Sequence, residues 1–152
     1  MASRVPGGNS GKMFSQTTQI RVRYADTDQM KFVYYGKYFE YFEQGRSDLL
    51  RSMGLPYPEI EREGILLPVI EAHAEYRQPA RFDDLLFVET ILTDVTPVRI
   101  RIEYEVRRDA AGDPMVIGHT VHSYMNSASG RPTRLPARLR EAVEKATKRT
   151  LN

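Results

Sequence analysis

Apolar and polar residues alternate without a break in residues 98–107. Val98, Ile100, Ile102, Tyr104 and Val106 occupy every second position, and charged residues occupy the positions between them. A period of two predicts a β-strand with one buried and one wet face. Residues 70–77 alternate in the same manner, and residues 86–92 do so less cleanly, which predicts two further strands. Residues 109–114 predict a turn to a returning strand over 115–125.

Between residues 33 and 53 the apolar spacing changes to three and four positions. The residues with this spacing are Phe39, Phe42, Leu49, Leu50 and Met53. This period predicts one long helix with a buried stripe, and Gly54 and Pro56 mark its end. A first strand ends near Tyr24 before this helix. A short helix is expected around 59–63, and a basic helix from about Pro136.

One long helix and about five antiparallel strands pack simply when the sheet curls around the helix. We therefore predict a single α+β domain over residues 17–150. Residues 1–16 are small, polar and glycine-rich, and we expect them to be disordered. A sheet of this kind has an exposed edge that a second copy can cover, so a homodimer or homotetramer is expected.

Composition restricts the function classes. The 152 residues include no cysteine, which excludes disulfides and thiol nucleophiles. No apolar run approaches the roughly 18 residues of a membrane span, and the N-terminus lacks the apolar core of a signal peptide, so a cytoplasmic protein is expected. The net charge of +2 does not indicate nucleic-acid binding. The basic end, residues 131–152, predicts either a solvated helix or a surface for phosphorylated ligands or an acidic partner.

Candidate chemistry concentrates in the acidic loop between the first strand and the long helix. Asp26 and Asp28 lie beside a predicted helix start, whose free N–H groups and dipole can hold a developing negative charge. An ionised Asp28 could attack a thioester carbonyl or activate a water, while amides near Tyr34 and Tyr35 polarise the carbonyl. Alternatively, these residues only cap the helix and form the turn. A metal held by the two aspartates is a third interpretation, but no further ligand has suitable spacing.

Other catalytic classes lack their motifs. His119 and His122 are three apart in a predicted strand and hence on opposite faces, which disfavours a joint metal site. No Gly-x-Ser-x-Gly elbow or phosphate-binding glycine loop occurs. We therefore expect no metal and no cofactor.

The run Tyr24–Glu43, YADTDQMKFVYYGKYFEYFE, resembles the signature of the 4-hydroxybenzoyl-CoA thioesterase branch of the hot-dog superfamily. That branch includes the acyl-CoA thioesterases associated with Tol–Pal gene clusters. The pattern D-x-D-x-x-x-x-V-x-Y-x-x-Y carries the resemblance, which extends over residues 19–125. It implies a hot-dog fold, in which a curved antiparallel sheet wraps around one long helix, with a C-terminal helix here.

The resemblance also implies roles for individual residues. Asp28 falls on the catalytic carboxylate, and Tyr35 on the backbone amide that polarises the thioester carbonyl. The implied substrate contacts are Val33, Tyr34, Tyr38, Pro68 and Arg99. Active sites of this family lie at the dimer interface, with the nucleotide part of CoA on basic surface residues. Lys31 departs from the pattern, because many members have glycine there.

These observations favour an acyl-CoA thioesterase that releases the free acid and CoA. The alternative is a non-catalytic acyl-CoA or acyl-carrier binding or assembly protein of the same fold. Asp28 discriminates the two, because a binding protein needs no carboxylate there. Dehydration of acyl thioesters is a third possibility. It usually needs a histidine near the helix start, and none of the three histidines is there.

Overall fold

The computed structural model describes residues 12–151, which form seven strands and three α-helices. The strands are β1 (Phe14–Arg21), β2 (Ile65–Leu66), β3 (Val69–Tyr76), β4 (Leu85–Val95), β5 (Arg99–Arg107), β6 (Val116–Ser123) and β7 (Met125–Asn126). The α-helices are α1 (Lys37–Ser52), α2 (Tyr57–Arg62) and α3 (Ala137–Leu151), and a 3-10 turn covers Tyr24–Asp26.

Five strands form one antiparallel sheet in the order β1-β4-β5-β6-β3, and β2 pairs with β7 in a small second sheet. Helix α1 lies against the sheet and packs mainly on β1 and β4. The ring of Phe42 in α1 stacks on that of Tyr104 in β5, with centroids 4.3 Å apart. The predicted α+β architecture of a sheet around one long helix is therefore confirmed.

Strand β5 confirms the alternation read from the sequence from residue 99 onward, whereas Val98 precedes the strand and is 53% exposed. Ile100, Ile102, Tyr104 and Val106 are at most 2% exposed. Their charged neighbours lie on the other face, where Arg101 pairs with Glu103. The period of two therefore reports the faces of this central strand correctly, because both its edges are paired and the ring of Phe42 in α1 packs on its apolar face.

Helix α1 begins at Lys37, so the prediction of a helix from residue 33 is wrong at that end. Val33 is extended: its N–H donates to the carbonyl of Ala80 at 2.8 Å, and it forms a β-bridge with Thr27. These bonds hold the residues before the helix in a short antiparallel ladder. The helix ends as predicted, with Gly54 in the left-handed conformation at φ 81°.

Strand β3 also differs from the expectation of one buried face. It is an edge strand, and Val69, Ile70 and Tyr76 are 48%, 52% and 45% exposed. Helix α1 packs mainly on the two strands at the other edge of the sheet, so the side chains of β3 stay about half exposed in a single chain.

The two ends of the described chain pack against the same domain. Strand β1 begins at Phe14, inside the segment 1–16 that was expected to be disordered, and residues 1–11 of that segment lie outside the described residues. Leu139, Val143 and Ala146 of α3 are buried, and Arg138 pairs with Glu59 of α2 and with Glu63, which follows that helix. Within residues 12–151, every helix is too short or too polar to cross a membrane.

Candidate active site

The acidic loop is held by a short antiparallel ladder. Tyr34 N donates to the carbonyl of Asp26 at 2.9 Å, and Asp28 N donates to that of Phe32 at 2.8 Å. Thr27 bridges Val33 between these two bonds. The loop therefore folds back onto the residues that lead into α1, as the expected proximity of the acidic segment to the helix start requires.

The carboxylate of Asp28 closes the tip of this loop. Its Oδ1 accepts hydrogen bonds from the amides of Met30 at 2.8 Å and Phe32 at 3.2 Å. Asp28 thus stabilises the turn through this oxygen. Its other oxygen, Oδ2, has no hydrogen-bond partner among the described residues, and the residue is half-buried. One oxygen orients the carboxylate, and the other has lone pairs to offer a ligand.

The start of α1 carries unpaired amides. Gly36 occupies the N-cap position and provides no side-chain cap. The first amides with acceptors are those of Lys37, bonded to the Tyr34 carbonyl at 2.8 Å, and Tyr38. Those of Tyr35 and Gly36 have no acceptor in the described part of the chain. Two free N–H groups at the positive end of a helix are suited to hold an anionic oxygen.

Asp26 has a different environment from Asp28. It is 2% exposed, and its carboxylate accepts hydrogen bonds from the Tyr41 hydroxyl at 2.8 Å and from the amide and guanidinium of Arg23. Lys37 Nζ lies 3.7 Å from Oδ1. Burial raises the pKa of Asp26, but the hydrogen bonds from Tyr41 and Arg23 outweigh burial and leave this pKa below its ordinary value. The carboxylate is therefore ionised and fully partnered.

Tyrosines surround the helix start. The rings of Tyr34 and Tyr35 are exposed and have centroids 4.5 Å apart. Tyr76 of β3 donates its hydroxyl hydrogen to the carbonyl of Tyr35 at 3.1 Å. Tyr38 is buried, and burial raises its pKa to about 12, so it is a neutral phenol at physiological pH. An exposed aromatic surface thus adjoins the two free amides.

The remaining candidate residues separate into two groups. Val33 is 6% exposed and part of the core, although it adjoins the loop. Pro68 and Arg99 lie elsewhere, near Ser123: the Pro68 carbonyl accepts from Ser123 N, and Arg99 pairs in register with that residue. This location is at the far end of β3 from Tyr76, at roughly 23 Å for seven residues of strand. One chain does not bring these two residues to Asp28.

The described residues contain no metal site at this loop. No group of three His, Cys, Asp or Glu side chains in residues 12–151 is placed to hold a metal ion. His119 and His122 lie on opposite faces of β6, as predicted: His119 contacts Glu71, whereas His122 is 1% exposed.

A groove on the described part of the chain lies beside this loop. It has a volume of about 650 Å³ and runs between β1 and α1, next to Asp26 and Tyr41, but neither Asp28 nor Tyr35 lines it. The two candidate catalytic residues instead lie on an open surface.

Sequence reasoning missed two features of the site. The first is the contact between Tyr41 and Asp26, because no local pattern links Tyr41 to a residue 15 positions earlier. Lys31 has φ 71°, the left-handed region that favours glycine. Its departure from the family glycine therefore leaves the backbone on a path that a glycine would take without strain.

Comparison with known proteins finds relatives of this chain in sequence and in structure. A sequence model of the thioesterase-like superfamily matches residues 22–143. The acyl-CoA thioesterase YbgC of Haemophilus influenzae is 34% identical over 91 residues, 59% of this chain and 67% of that protein. Crystal structures of the hypothetical protein TT1821 from Thermus thermophilus and of DHNA-CoA thioesterase from Staphylococcus aureus are also similar. The first has a TM-score of 0.80 at 35% identity and covers 86% of this chain and 98% of that chain. The second has a TM-score of 0.82 at 26% identity and covers 90% and 93%.

These likenesses confirm the hot-dog architecture expected from the YADTD motif and the long helix. The matched region, residues 22–143, includes the acidic loop, the helix start and every strand of the main sheet except β1. On this match, the chain belongs to the thioesterase-like superfamily.

Proposed function

We propose that this chain hydrolyses an acyl-CoA thioester to the free acid and CoA. The observation that carries the proposal is an aspartate with one carboxylate oxygen unpaired within residues 12–151, in a loop that folds back on a helix start with two amides likewise unpaired there. Membership of the thioesterase-like superfamily and the name of the Haemophilus relative support the same reaction. The motif favours the 4-hydroxybenzoyl-CoA thioesterase branch, with residues 17–150 as the catalytic domain.

Asp28 acts on the thioester carbonyl in one of two ways. Its free oxygen attacks the carbonyl carbon, or it removes a proton from a water that attacks. In both cases the carbonyl oxygen becomes negative and accepts a hydrogen bond from the Tyr35 N–H. The C–S bond then breaks, and CoA leaves as a thiolate that takes up a proton. If Asp28 attacked directly, the acyl group is now a mixed anhydride on its carboxylate, and a water hydrolyses that anhydride to release the acid and restore Asp28. If Asp28 acted as a base, the attacking water has already supplied the oxygen of the acid. One oxyanion donor contributes about 10²–10³ in rate.

The site is completed by a second copy of the chain. Strand β3 offers a free edge and exposed apolar side chains at Ile70 and Tyr76. Antiparallel pairing of two β3 strands would place the Pro68 end of one copy beside the Tyr76 end of the other. Pro68 and Arg99 of one protomer would then adjoin Asp28 of its partner, with Arg99 available to a CoA phosphate. We therefore propose at least a homodimer, with homotetramers a further possibility of the fold.

Asp28→Asn tests the reaction. Asparagine keeps an oxygen that accepts from the amides of Met30 and Phe32, so the loop is retained while the charge is lost. Hydrolysis of a panel of short, long and aromatic acyl-CoAs should fall by about 10²-fold or more in kcat. Asp28→Ala is the matched variant, because it removes the loop hydrogen bonds as well and should also lower the melting temperature.

The outcomes separate the two functions that the sequence left open. Loss of hydrolysis in Asp28→Asn, with unchanged melting temperature and unchanged acyl-CoA binding, supports the enzyme. Parental hydrolysis in Asp28→Asn would reduce Asp28 to a turn residue. Acyl-CoA binding with no hydrolysis by the parent would instead support the non-catalytic binding or assembly protein.

A further inference from the structure

We infer that Asp26 is a positioning residue, which holds the start of α1 against the loop that carries Asp28. The inference rests on the proposed function, because it assigns the residue that sets the distance between the carboxylate and the oxyanion amides. Asp26 itself is 2% exposed and its carboxylate is fully partnered, so it has no direct part in the reaction.

The contacts of Asp26 join three segments. Its carboxylate bonds Arg23, which follows β1, at 3.0 Å through the guanidinium and 3.1 Å through the amide. It also bonds Tyr41 in the second turn of α1 at 2.8 Å. Its backbone carbonyl accepts the amide of Tyr34, the residue just before the free amides. One residue therefore ties the strand end, the helix and the helix approach together.

Two of the contacts come from one face of α1. Lys37 and Tyr41 are four residues apart, so their side chains lie one above the other on the helix. Asp26 contacts the helix from this side, about one turn from Tyr35. Rotation or sliding of the first turn would stretch both contacts, and a displacement of about 1 Å at a catalytic group can cost about 10²-fold in rate.

The negative charge of Asp26 is essential to this arrangement. Arg23, Lys37 and Tyr41 all present donors to it, so an acceptor on both oxygens is needed. In Asp26→Asn, the side-chain NH₂ group would replace one of these oxygens and leave a neighbouring donor without an acceptor. A buried donor that loses its acceptor is costly, and the helix start would shift to regain one.

Asp26→Asn tests the inference, with Asp48→Asn as the matched control. Asp48 in α1 also bonds to β1, through a hydrogen bond from Thr18 at 2.7 Å, and it pairs with Arg51 of its own helix, but it lies about three turns along the helix from the site. Both variants should lose melting temperature. Only Asp26→Asn should lose kcat, by about 10-fold or more, with KM within about threefold, at a temperature where both variants are folded.

Tyr41→Phe adds a test that general destabilisation would not pass. It removes one hydroxyl from the same carboxylate and should lower kcat by a smaller factor. The double variant should be little worse than Asp26→Asn alone, because both changes break the same contact. The positioning role would be overturned if the kcat loss of the double variant equalled the product of the two single losses. It would also be overturned if folded Asp26→Asn kept the kcat of the parent. If Asp26→Asn and Asp28→Asn are both fully active, the proposed hydrolysis mechanism fails. If Asp28→Asn loses activity while Asp26→Asn keeps it, only the positioning role of Asp26 fails.

Discussion

Acid should destabilise this protein through one buried histidine. His122 is 1% exposed, and burial, together with the charge of Arg46, lowers its pKa to about 4 although the hydrogen bond with the Leu67 carbonyl raises it. That carbonyl only accepts, so Nδ1 donates to it at 3.0 Å and Nε2 of the neutral ring accepts from Thr120 at 2.9 Å. Thr120 in turn accepts from Tyr104, whose oxygen accepts from Arg46.

Protonation of His122 would reverse the direction of the hydrogen bonds from His122 to Tyr104. Nε2 would become a donor to Thr120, whose hydroxyl hydrogen would turn to Tyr104. The Tyr104 hydroxyl would then receive hydrogen bonds from Thr120 and Arg46, and its own hydrogen would lose its acceptor. The folded protein therefore resists protonation of His122, whereas the unfolded chain takes up that proton near pH 6.5.

The magnitude follows from the two pKa values. Stability that depends on neutral His122 is complete above pH 6.5 and is lost as the pH falls toward 4. Each pH unit in this window removes about 1.4 kcal/mol from the free energy of unfolding, so the loss is about 3 kcal/mol. The parent should show this slope, whereas His122→Gln should lack it despite being less stable at pH 7.

The free energies of unfolding of the parent and of His122→Gln can be measured by urea unfolding, followed by circular dichroism. The protein concentration is fixed, and the measurement is repeated at several pH values between 7 and 4. The carboxylates titrate in both proteins and cancel when the variant is subtracted from the parent. Equal slopes in parent and variant would refute the assignment of a neutral, buried His122.

Two further predictions concern the loop and the edge strand. Lys31→Gly should raise the free energy of unfolding by up to about 1 kcal/mol, because it relieves the left-handed backbone of a non-glycine residue at φ 71°. Lys31→Ala, which removes the charge but keeps the strain, should not raise it, and a gain in the alanine variant would point to the charge instead. Ile70→Lys should convert the protein from dimer to monomer in sedimentation velocity with little loss of fold, since Ile70 is already 52% exposed in one chain. A monomeric parent at micromolar concentration would contradict the proposed β3 interface.

Local sequence patterns predicted the elements that depend on neighbouring residues alone. The faces of β5, the glycine end of α1 and the turn at residues 109–114 depend on periodicity or on a single backbone conformation, and the structure confirms them. The motif around Asp28 located the acidic loop for the same reason, because that loop is encoded by adjacent residues.

Where the prediction failed, a distant contact competed with the local pattern. The apolar spacing predicted a helix from Val33. In the structure the carbonyl of Ala80, 47 positions later, accepts a hydrogen bond from the Val33 amide, so that residue is extended. Alternation in β3 predicted a buried face, yet burial depends on what covers a strand. In one chain Ile70 and Tyr76 remain about half exposed.

The order and type of secondary structure, the acidic loop and the glycine end of the long helix were determined by the sequence itself, since hydrophobic period, turn residues and caps act over a few neighbours. Tertiary structure alone decided that Asp26 is buried under Tyr41 while Asp28 keeps one oxygen without a partner among the described residues. Two aspartates two residues apart have the same local chemistry. Only the packing of α1 against the loop removes one from water and leaves the other at the surface.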